Sequence, residues 1–272
     1  MRPAVPRGGD RRPLLSAAII VRDEADFLRQ CLTSIRPVCD EIIVVDTGSL
    51  DDTVAVAESF GAVVAHRPWD DDFAAARNLS LELATGEWIL YIDADEQLED
   101  CDAEAARAEL LAATDAVCLL VRFRSRPVYS PYREFRLWRN RPDIRFDGRI
   151  HETMVPDIAR VARTTDLIVR DSDEFKLVHW GYEGDQTRKH LRNLPLLERR
   201  VVELPDRVYL WHHLGQVRVA LGDIDGAEAA WRTGIECMRS SGVRDRTDVL
   251  CYGSLGIHLV HRGEDATALA AE

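Results

Sequence analysis

Four apolar runs of strand length, each followed by a polar break or a helix-like segment, constrain the fold of this chain most strongly. The runs are LLSAAIIV, EIIVVD, AVVAH and EWILYI. Between them, ADFLRQCLTSI, TVAVAESFG and FAAARNLSLELATG read as helices, and the last two stop at Gly61 and Gly86. Strands that alternate with helices in this way predict a mostly parallel sheet with helices on both faces.

The end of the fourth run carries a concentration of negative charge. In YIDADEQ, residues 91–97, three acidic residues follow the apolar run: Asp93, Asp95 and Glu96. Asp93 and Asp95 alternate with Ala94, so in an extended segment their side chains would lie on the same side. Two such oxygen ligands suit Mg²⁺ or Mn²⁺, which commonly share the rest of their coordination shell with substrate phosphates. The motif is also compatible with a solvated turn.

Further polar residues are predicted at the same edge of the sheet. Asp46 ends the second run, while Asp23 and Glu24 follow the first. Ligands of such sheets bind at the carboxyl ends of the strands. Asp46 can accept hydrogen bonds from a base or ribose, or it can cap the following helix. Arg77, among small residues on a predicted helix, can neutralise phosphate or form a surface ion pair.

The pattern changes after residue 100. Strand-like runs continue in DAVCLLVRF, EFRLWR and KLVHW, but the helices between them are expected to be weak or absent, which favours mixed or antiparallel pairing. From about residue 185 the chain is predicted to be helical, because apolar residues keep a spacing of three to four. We therefore expect a domain boundary within residues 183–186.

The helical part contains an imperfect repeat. WHHLG (211–215) and YGSLG (252–256) are each followed by a glycine turn and an alanine, namely Gly222 and Ala227 in the first copy and Gly263 and Ala266 in the second. Trp211 and Tyr252 lie 41 positions apart. The pattern resembles tetratricopeptide helix pairs, whose period is about 34 residues, with the extra length in the polar insert SSGVRDRTD. The alternative interpretation is an ordinary helical extension packed on the first domain.

Composition excludes several classes of protein. The net charge of −12 argues against a nucleic-acid partner, and the 46% hydrophobic content supports a sizeable core. The six cysteines form no CxxC pair, which indicates reduced thiols in a cytoplasmic protein. The apolar runs are too short to span a bilayer. The opening MRPAVPRGGDRRP lacks the apolar core of a secretory signal, so residues 1–13 are expected to form a flexible tail.

The motifs taken together resemble a known family. IIVRDEADFLRQCLTSI, DEIIVVDTGSLDDT and PWDDDFAAARNLSLELATGEWILYIDADE are similar, in this order, to segments of family 2 glycosyltransferases of GT-A fold. RLWRN, RFDGRIHE and VHWGY resemble, more narrowly, a bacterial branch with lipopolysaccharide-core glucosyltransferase-like and bacteriocin peptide glycosyltransferases. The resemblance implies an α/β, Rossmann-like GT-A domain over residues 14–184 that binds a nucleotide sugar. An all-α, tetratricopeptide-like region would follow over residues 185–272.

The resemblance also implies ligands and roles for single residues. It implies a nucleotide-sugar donor, usually a UDP-sugar, and a divalent metal, Mn²⁺ or Mg²⁺. Carried over residue by residue, the donor contacts are Glu24, Asp46, Asp51, Arg77 and Asp93, and the metal ligands are Asp93, Asp95 and His179. A buried histidine at a strand end is the alternative for His179. The family usually has Asn where this chain has Asp23, a change that adds charge near the base site.

The relatives invert the anomeric centre in a single displacement, so a general base must take the proton of the acceptor. The best candidate is Glu152 in GRIHETM, with His151 as an alternative or a partner. Glu152 could instead form a salt bridge with Arg149 or Arg145. Arg136 and Arg139 in RLWRN are expected to have a structural role in the same part of the domain.

Two hypotheses from other functional classes are alternatives to a transferase. The first is a non-catalytic helical-repeat interaction protein with a decayed transferase domain. The presence of all the expected site residues argues against such decay. The second is a nucleotidyltransferase, which would need a glycine-containing phosphate loop that VRDEADF lacks. The acceptor is a sugar, a peptide or a small molecule. A homodimer formed through the helical region and peripheral membrane contact also stay open.

Overall fold

The computed structural model describes residues 12–126, 129–181, 186–241, 247 and 249–263. These residues form two compact units, which contain residues 12–148 with 152–181 and residues 149–151 with 186–263. Arg149–His151 pack with the second unit, and the predicted domain bounds stay a prediction. Most of the predicted flexible tail lies outside the described residues.

The first unit is built on an eight-stranded mixed sheet. Its strands are β1 Leu15–Val21, β2 Glu41–Asp46, β3 Val63–His66, β4 Trp88–Tyr91, β5 Glu96–Leu98, β6 Ala116–Arg124, β7 Tyr132–Arg139 and β8 Ile168–His179. Its helices are α1 Ala25–Ile35, α2 Thr53–Ser59, α3 Phe73–Leu83, α4 Ala103–Ala112 and α5 Val155–Thr164. The strand order is β3-β2-β1-β4-β7-β6-β8-β5.

The pairing confirms both halves of the sheet prediction. β3, β2, β1 and β4 are parallel, and the near-continuous apolar sequences of β1, β2 and β4 are buried, whereas the outer strand β3 is partly exposed. Beyond β4, β7 pairs antiparallel with β4 and β6, while β8 runs parallel to β6. The carboxyl ends of β1, β2 and β4 therefore meet at one edge, where the polar residues were predicted.

Three elements of the first unit were not predicted, namely α4, β5 and α5. β5 has three residues, which is too short for a period-2 pattern to be visible. Helices between the later strands were expected to be weak or absent, whereas VPDIARVART forms α5, which buries Ile158 and Val161. Its proline lies in the first turn, where the missing N–H costs no helical hydrogen bond.

The end of the predicted tail is attached to the first unit. The guanidinium of Arg12 donates to the carbonyls of Thr85 and Gly86, at 2.7 and 3.0 Å. The Glu87 N–H donates to the Pro13 carbonyl at 2.9 Å. Residues 12 and 13 are therefore held beside the start of β4, which differs from the expectation for residues 1–13.

The second unit contains the predicted helices α6 Thr187–Glu203, α7 Val208–Ala220, α8 Ile224–Ser241 and α9 Val249–His261. α7 and α8 form a helix pair joined at Gly222, whose φ of +83° suits glycine at the end of a helix. A Cβ on Gly215 would lie 2.1 Å from the Trp231 indole nitrogen, so glycine is required for this close packing. Ala227 is fully buried. The first copy of the repeat is thus a packed helix pair.

The second copy is described only in part. Leu255 in α9 is buried as Leu214 is in α7, and Gly263 has a positive φ as Gly222 has. A Cβ on Gly256 would meet nothing within 4 Å, unlike one on Gly215. Ala266 lies outside the described residues. No helix among the described residues is both long and apolar enough to cross a membrane.

A cluster of rings forms part of the second unit. The centroid of the His151 ring lies 5.1 Å from that of Tyr209 and 4.4 Å from that of His213. Burial, helped by the neighbouring imidazoles, lowers the pKa of His151 to about 4 and that of His213 to about 3. Both rings are therefore neutral near pH 7 and pack as aromatic groups.

This cluster predicts acid sensitivity of the second unit. Histidines in the unfolded chain titrate near pH 6.5, so stability is present above that pH and is lost as the pH falls toward 4. We expect His213→Phe to reduce the loss of unfolding free energy between pH 7.5 and pH 5 by about 1–2 kcal/mol. Urea unfolding followed by circular dichroism at both pH values measures this. His261→Gln, at an exposed histidine, is the control; equal pH dependence in the His213 variant and the wild type would contradict the prediction.

Candidate active site

The acidic segment after β4 forms a turn. β4 ends at Tyr91, and the Glu96 N–H donates to the Asp93 carbonyl at 3.0 Å. The expectation that Asp93 and Asp95 lie in an extended segment with their side chains on the same side is therefore wrong. The turn forms because the Asp93 N–H is also bound, by the Glu96 carboxylate at 2.9 Å. As a result, the two aspartates contact different partners.

The carboxylate of Asp93 faces two arginines. Its Oδ1 accepts from Arg77 Nη2 at 2.8 Å, and its Oδ2 lies 3.8 Å from Arg136 Nη1 and 3.5 Å from the Tyr91 hydroxyl. Burial raises the pKa of Asp93, but the charges of Arg77 and Arg136 outweigh burial and lower it below its usual value. Asp93 is therefore ionised and held by arginine.

Both guanidinium groups also stack on one tyrosine. The Cζ atoms of Arg77 and Arg136 lie 4.3 and 4.2 Å from the centroid of the Tyr91 ring. Arg77 is 6% and Arg136 7% exposed, and each keeps at least one N–H without a hydrogen-bond acceptor among the described residues. A desolvated cation over an aromatic face gains about 2 kcal/mol or more, which compensates part of this burial.

Arg77 connects Asp93 to the candidate base. Its Nε donates to Glu152 Oε1 at 2.5 Å, so one guanidinium joins two carboxylates that are 59 positions apart in sequence. Arg77 lies on α3, whose first turn is capped by the Asp72 side chain. The structure thus pairs Glu152 with an arginine of another element. The role of Arg77 toward a nucleotide stays a prediction.

The loop that carries Glu152 is fixed at two places. The side-chain amide of Asn78 exchanges two hydrogen bonds with the backbone of Phe146, both at 2.9 Å. Asp147 and Thr153 exchange backbone hydrogen bonds at 3.0 Å, which closes the loop around Gly148. No role for Asn78 was predicted from the sequence. Its amide has the donor and acceptor needed to hold a strand-like backbone.

Asp95 lies beside His179. The distance from His179 Nε2 to Asp95 Oδ2 is 3.1 Å. β5 produces this contact, because Glu96 pairs with His179 across β5 and β8 and the Trp180 N–H donates to the Asp95 carbonyl at 2.9 Å. A Cβ on Gly181 would lie 1.9 Å from Asp95 Oδ2. Glycine is therefore required at position 181 for the aspartate to keep this position.

The three predicted metal ligands are only partly brought together. Within the described part of the chain, no group of three or more His, Cys, Asp or Glu side chains has the arrangement of a metal site. Asp95 and His179 meet, while Asp93 is engaged by arginines. One oxygen and one nitrogen ligand fit a divalent cation that takes its remaining ligands from phosphates and water.

Two of the predicted donor contacts, Glu24 and Asp46, lie just after β1 and at the end of β2. Asp46 is 4% exposed and accepts from the N–H groups of Gly48 and Ser49, at 3.2 and 3.1 Å. His66 Nδ1, at the end of β3, lies 3.3 Å from Asp46 Oδ2. His66 was not predicted to lie at the site, although its place at the end of a predicted strand was a usable signal.

Asp51 and Asp23 organise the loops around this site. The Asp51 carboxylate accepts from the N–H groups of Ala25 and Thr53, and the Glu24 N–H donates to the Thr53 hydroxyl. Asp23 has a φ of 53°, a conformation that Asp and Asn tolerate better than most residues, and it accepts from the Leu50 N–H at 2.6 Å. Asn could supply the same acceptor, so this contact does not explain the extra charge at position 23. The roles of Glu24, Asp46 and Asp51 toward a donor stay predictions.

His151 is placed differently from Glu152. It packs in the second unit with Tyr209 and His213, and its pKa of about 4 leaves it little basicity at neutral pH. The neighbouring Glu152 belongs to the first unit and contacts Arg77. The role of either residue as a general base stays a prediction.

Comparison with known proteins identifies the family. The sequence profile of Glycosyl transferase family 2 matches residues 16–167. A TPR repeat-containing protein of Synechococcus elongatus is 36% identical over 233 residues, which cover 82% of this chain and 56% of that protein. The prophage-derived glycosyltransferase SunS of Bacillus subtilis is 32% identical over 196 residues, 68% of this chain and 44% of SunS. The chain thus spans about half the length of these relatives.

Solved structures share the fold at low sequence identity. S. aureus TarS 1-349 in complex with UDP-GlcNAc has a TM-score of 0.55 at 13% identity, covering 92% of both chains. The mannosyltransferase PcManGT of Pyrobaculum calidifontis, in complex with GDP-Man and Mn²⁺, has a TM-score of 0.52 at 15% identity, covering 92% of this chain and 81% of that one.

These likenesses confirm the predicted GT-A class, and the TPR-containing relative agrees with the helices that follow it. The family profile covers more than half of the chain. The chain therefore belongs to glycosyl transferase family 2.

Proposed function

We propose that the protein transfers a sugar from a nucleotide-diphosphate donor, a UDP-sugar, to an acceptor hydroxyl or thiol, with a divalent metal and with inversion. The observation that carries the proposal is the arrangement after β4. There Asp95 meets His179, while Asp93 and Glu152 share Arg77. The names of two similar proteins, the glycosyltransferase SunS and TarS bound to UDP-GlcNAc, support the choice of reaction and of donor.

The donor would occupy the edge formed by β1, β2 and β4. Asp46 and Glu24, in loops supported by Asp51, would contact the base. Asp93, already ionised, would accept hydrogen bonds from the ribose. Its further predicted role as a metal ligand would require it to give up one of its arginine contacts.

Asp95 and His179 would hold the metal. When bound there, a divalent cation would act as a Lewis acid that stabilises the negative charge on the departing diphosphate. The pair of one imidazole and one carboxylate favours Mn²⁺ over Mg²⁺, since Mg²⁺ prefers oxygen ligands alone. The complex of PcManGT with Mn²⁺ is compatible with this choice.

Glu152 would act as the general base. The acceptor oxygen or sulfur forms a bond to the anomeric carbon as the bond from that carbon to the diphosphate oxygen breaks. The acceptor proton passes to the Glu152 carboxylate, whose position Arg77 fixes. A sugar, a peptide and a small molecule stay open as acceptors, and a cytoplasmic location stays a prediction.

Donor binding tests the proposal. At a UDP concentration of about 100 times Kd, binding stabilises the protein by about 2.7 kcal/mol and raises Tm by about 5–10 °C. We expect UDP with Mn²⁺ to produce such a shift in a thermal melt. Asp95→Asn should remove the part of the shift that depends on Mn²⁺, whereas Asp166→Asn, at an exposed aspartate, should keep it. The proposal is wrong if UDP, GDP and their sugars produce no shift with the wild type.

Gly181 provides a second test of the metal site. Because a methyl group at position 181 would collide with the Asp95 carboxylate, Gly181→Ala should weaken Mn²⁺ binding in the presence of UDP by about 10–100-fold. Gly253→Ala makes the same change where a Cβ meets nothing within 4 Å, and should bind Mn²⁺ as the wild type does. Calorimetric titration of Mn²⁺ measures both. If a folded Gly181 variant bound Mn²⁺ with wild-type affinity, Asp95 would not be a metal ligand.

Glu152→Gln tests the base. The change preserves size but removes the proton acceptor, so donor hydrolysis should slow by about 10²–10⁴-fold while UDP affinity stays within a factor of a few. The rate of UDP release from the UDP-sugar with the largest thermal shift measures this, with Glu104→Gln at an exposed glutamate as control. Unchanged hydrolysis would exclude Glu152 as the base for water.

A further inference from the structure

Arg136 and Glu96 form a buried ion pair that the proposed mechanism does not use. Arg136 Nη2 donates to Glu96 Oε1 at 2.8 Å, and the two side chains are 9% and 1% exposed. Taking both charges out of water costs several kcal/mol per ion. Replacing such a pair by apolar residues of similar volume is often neutral or stabilising. Stability alone therefore does not account for the pair.

The hydrogen bonds of Arg136 are incomplete. Its Nε and Nη1 have no hydrogen-bond acceptor among the described residues. A pair arranged for stability would satisfy these buried donors, because each unsatisfied one costs free energy. The guanidinium instead stacks on the Tyr91 and Phe123 rings, at 4.2 and 4.9 Å, and directs Nη1 toward Asp93 Oδ2 at 3.8 Å. Its position is thus set by Tyr91 and Asp93 as much as by Glu96.

Glu96 connects the pair to both candidate ligand residues. Its second oxygen, Oε2, accepts from the Asp93 N–H at 2.9 Å. Glu96 is also the first residue of β5 and pairs with His179 of β8, and that pairing brings His179 to Asp95. One buried carboxylate therefore fixes the backbone of Asp93 and lies at the start of the strand that aligns the two metal ligands.

We propose that Arg136 and Glu96 are positioning residues, which together hold the Asp93–Asp95 turn in the geometry that binds the nucleotide diphosphate and its metal. The inference rests on the proposed function, because it assigns the pair to the same donor site. Neither side chain touches the reacting atoms. Arg136 acts through the Asp93 carboxylate, and Glu96 acts through the Asp93 backbone and through β5.

A charge-free replacement of the pair separates positioning from stability. The variant Arg136→Met with Glu96→Leu fills the same volume without burying charge. We expect it to remain folded, with a Tm within a few degrees of the wild type. Its affinity for UDP with Mn²⁺ should fall by about 10–100-fold, the usual effect of removing groups that orient metal or ligand contacts. The rate of donor hydrolysis should fall by at least the same factor.

A more exposed arginine–glutamate pair that also includes a residue of β7 serves as control. Arg139, also on β7, stacks on the Trp88 ring at 4.2 Å and lies 3.6 Å from Glu87. Arg139→Met with Glu87→Leu should leave the affinity for UDP with Mn²⁺ unchanged. Arg136→Lys keeps the charge but lacks the planar fork that reaches Glu96 and Asp93 at once, so its affinity should lie between those of the wild type and the double variant.

The outcomes are distinct. If the folded double variant binds UDP with Mn²⁺ as the wild type does, the pair is structural and the inference is overturned. If the wild type binds no nucleoside diphosphate among UDP, GDP and ADP, the proposed function fails and the inference fails with it. If the double variant does not fold, Glu96→Gln takes its place under the same criteria, because it keeps the size of the side chain.

Discussion

A carboxylate that is partly buried just beyond the end of a strand needs positive charge beside it, and Asp93 obtains that charge from Arg77 and Arg136. Both arginines are themselves buried against the Tyr91 ring, so each needs a second carboxylate. The second carboxylate is Glu152 for Arg77 and Glu96 for Arg136. The positions of the candidate base and of the turn after β4 therefore both depend on the charge balance around Asp93.

Because of the turn, two aspartates that are two positions apart contact different residues. Asp93 is paired with arginines, whereas Asp95 contacts His179. The pairing of β5 with β8 aligns this contact, and Gly181 leaves space for it. A three-residue strand thus has a larger effect on the site than its length suggests. In the proposed reaction, the first aspartate organises the protein around the donor and the second, with His179, holds the cation.

The sequence predicted the parts of this arrangement that local patterns encode. The apolar runs predicted β1 to β4 and the edge where Asp46 and Asp93 lie, and the glycine and aromatic spacing predicted the α7–α8 pair. The turn at Asp93–Glu96, the short β5 and the Arg77–Glu152 pair were not predictable, because each depends on contacts between distant segments. The packing of His151 in the second unit has the same origin: no periodicity in GRIHETM signals a partner on α7.

The proposed reaction depends on a divalent cation bound by Asp95 and His179 beyond the end of β4. The most direct test is a crystal structure of the protein with UDP and Mn²⁺, with anomalous diffraction data collected at the manganese edge. If these two residues hold the cation, an anomalous peak will lie within about 2.0–2.3 Å of the Asp95 carboxylate and of His179 Nε2, between them and the diphosphate. A peak elsewhere, or bound UDP with both side chains turned away from the ion, would contradict it.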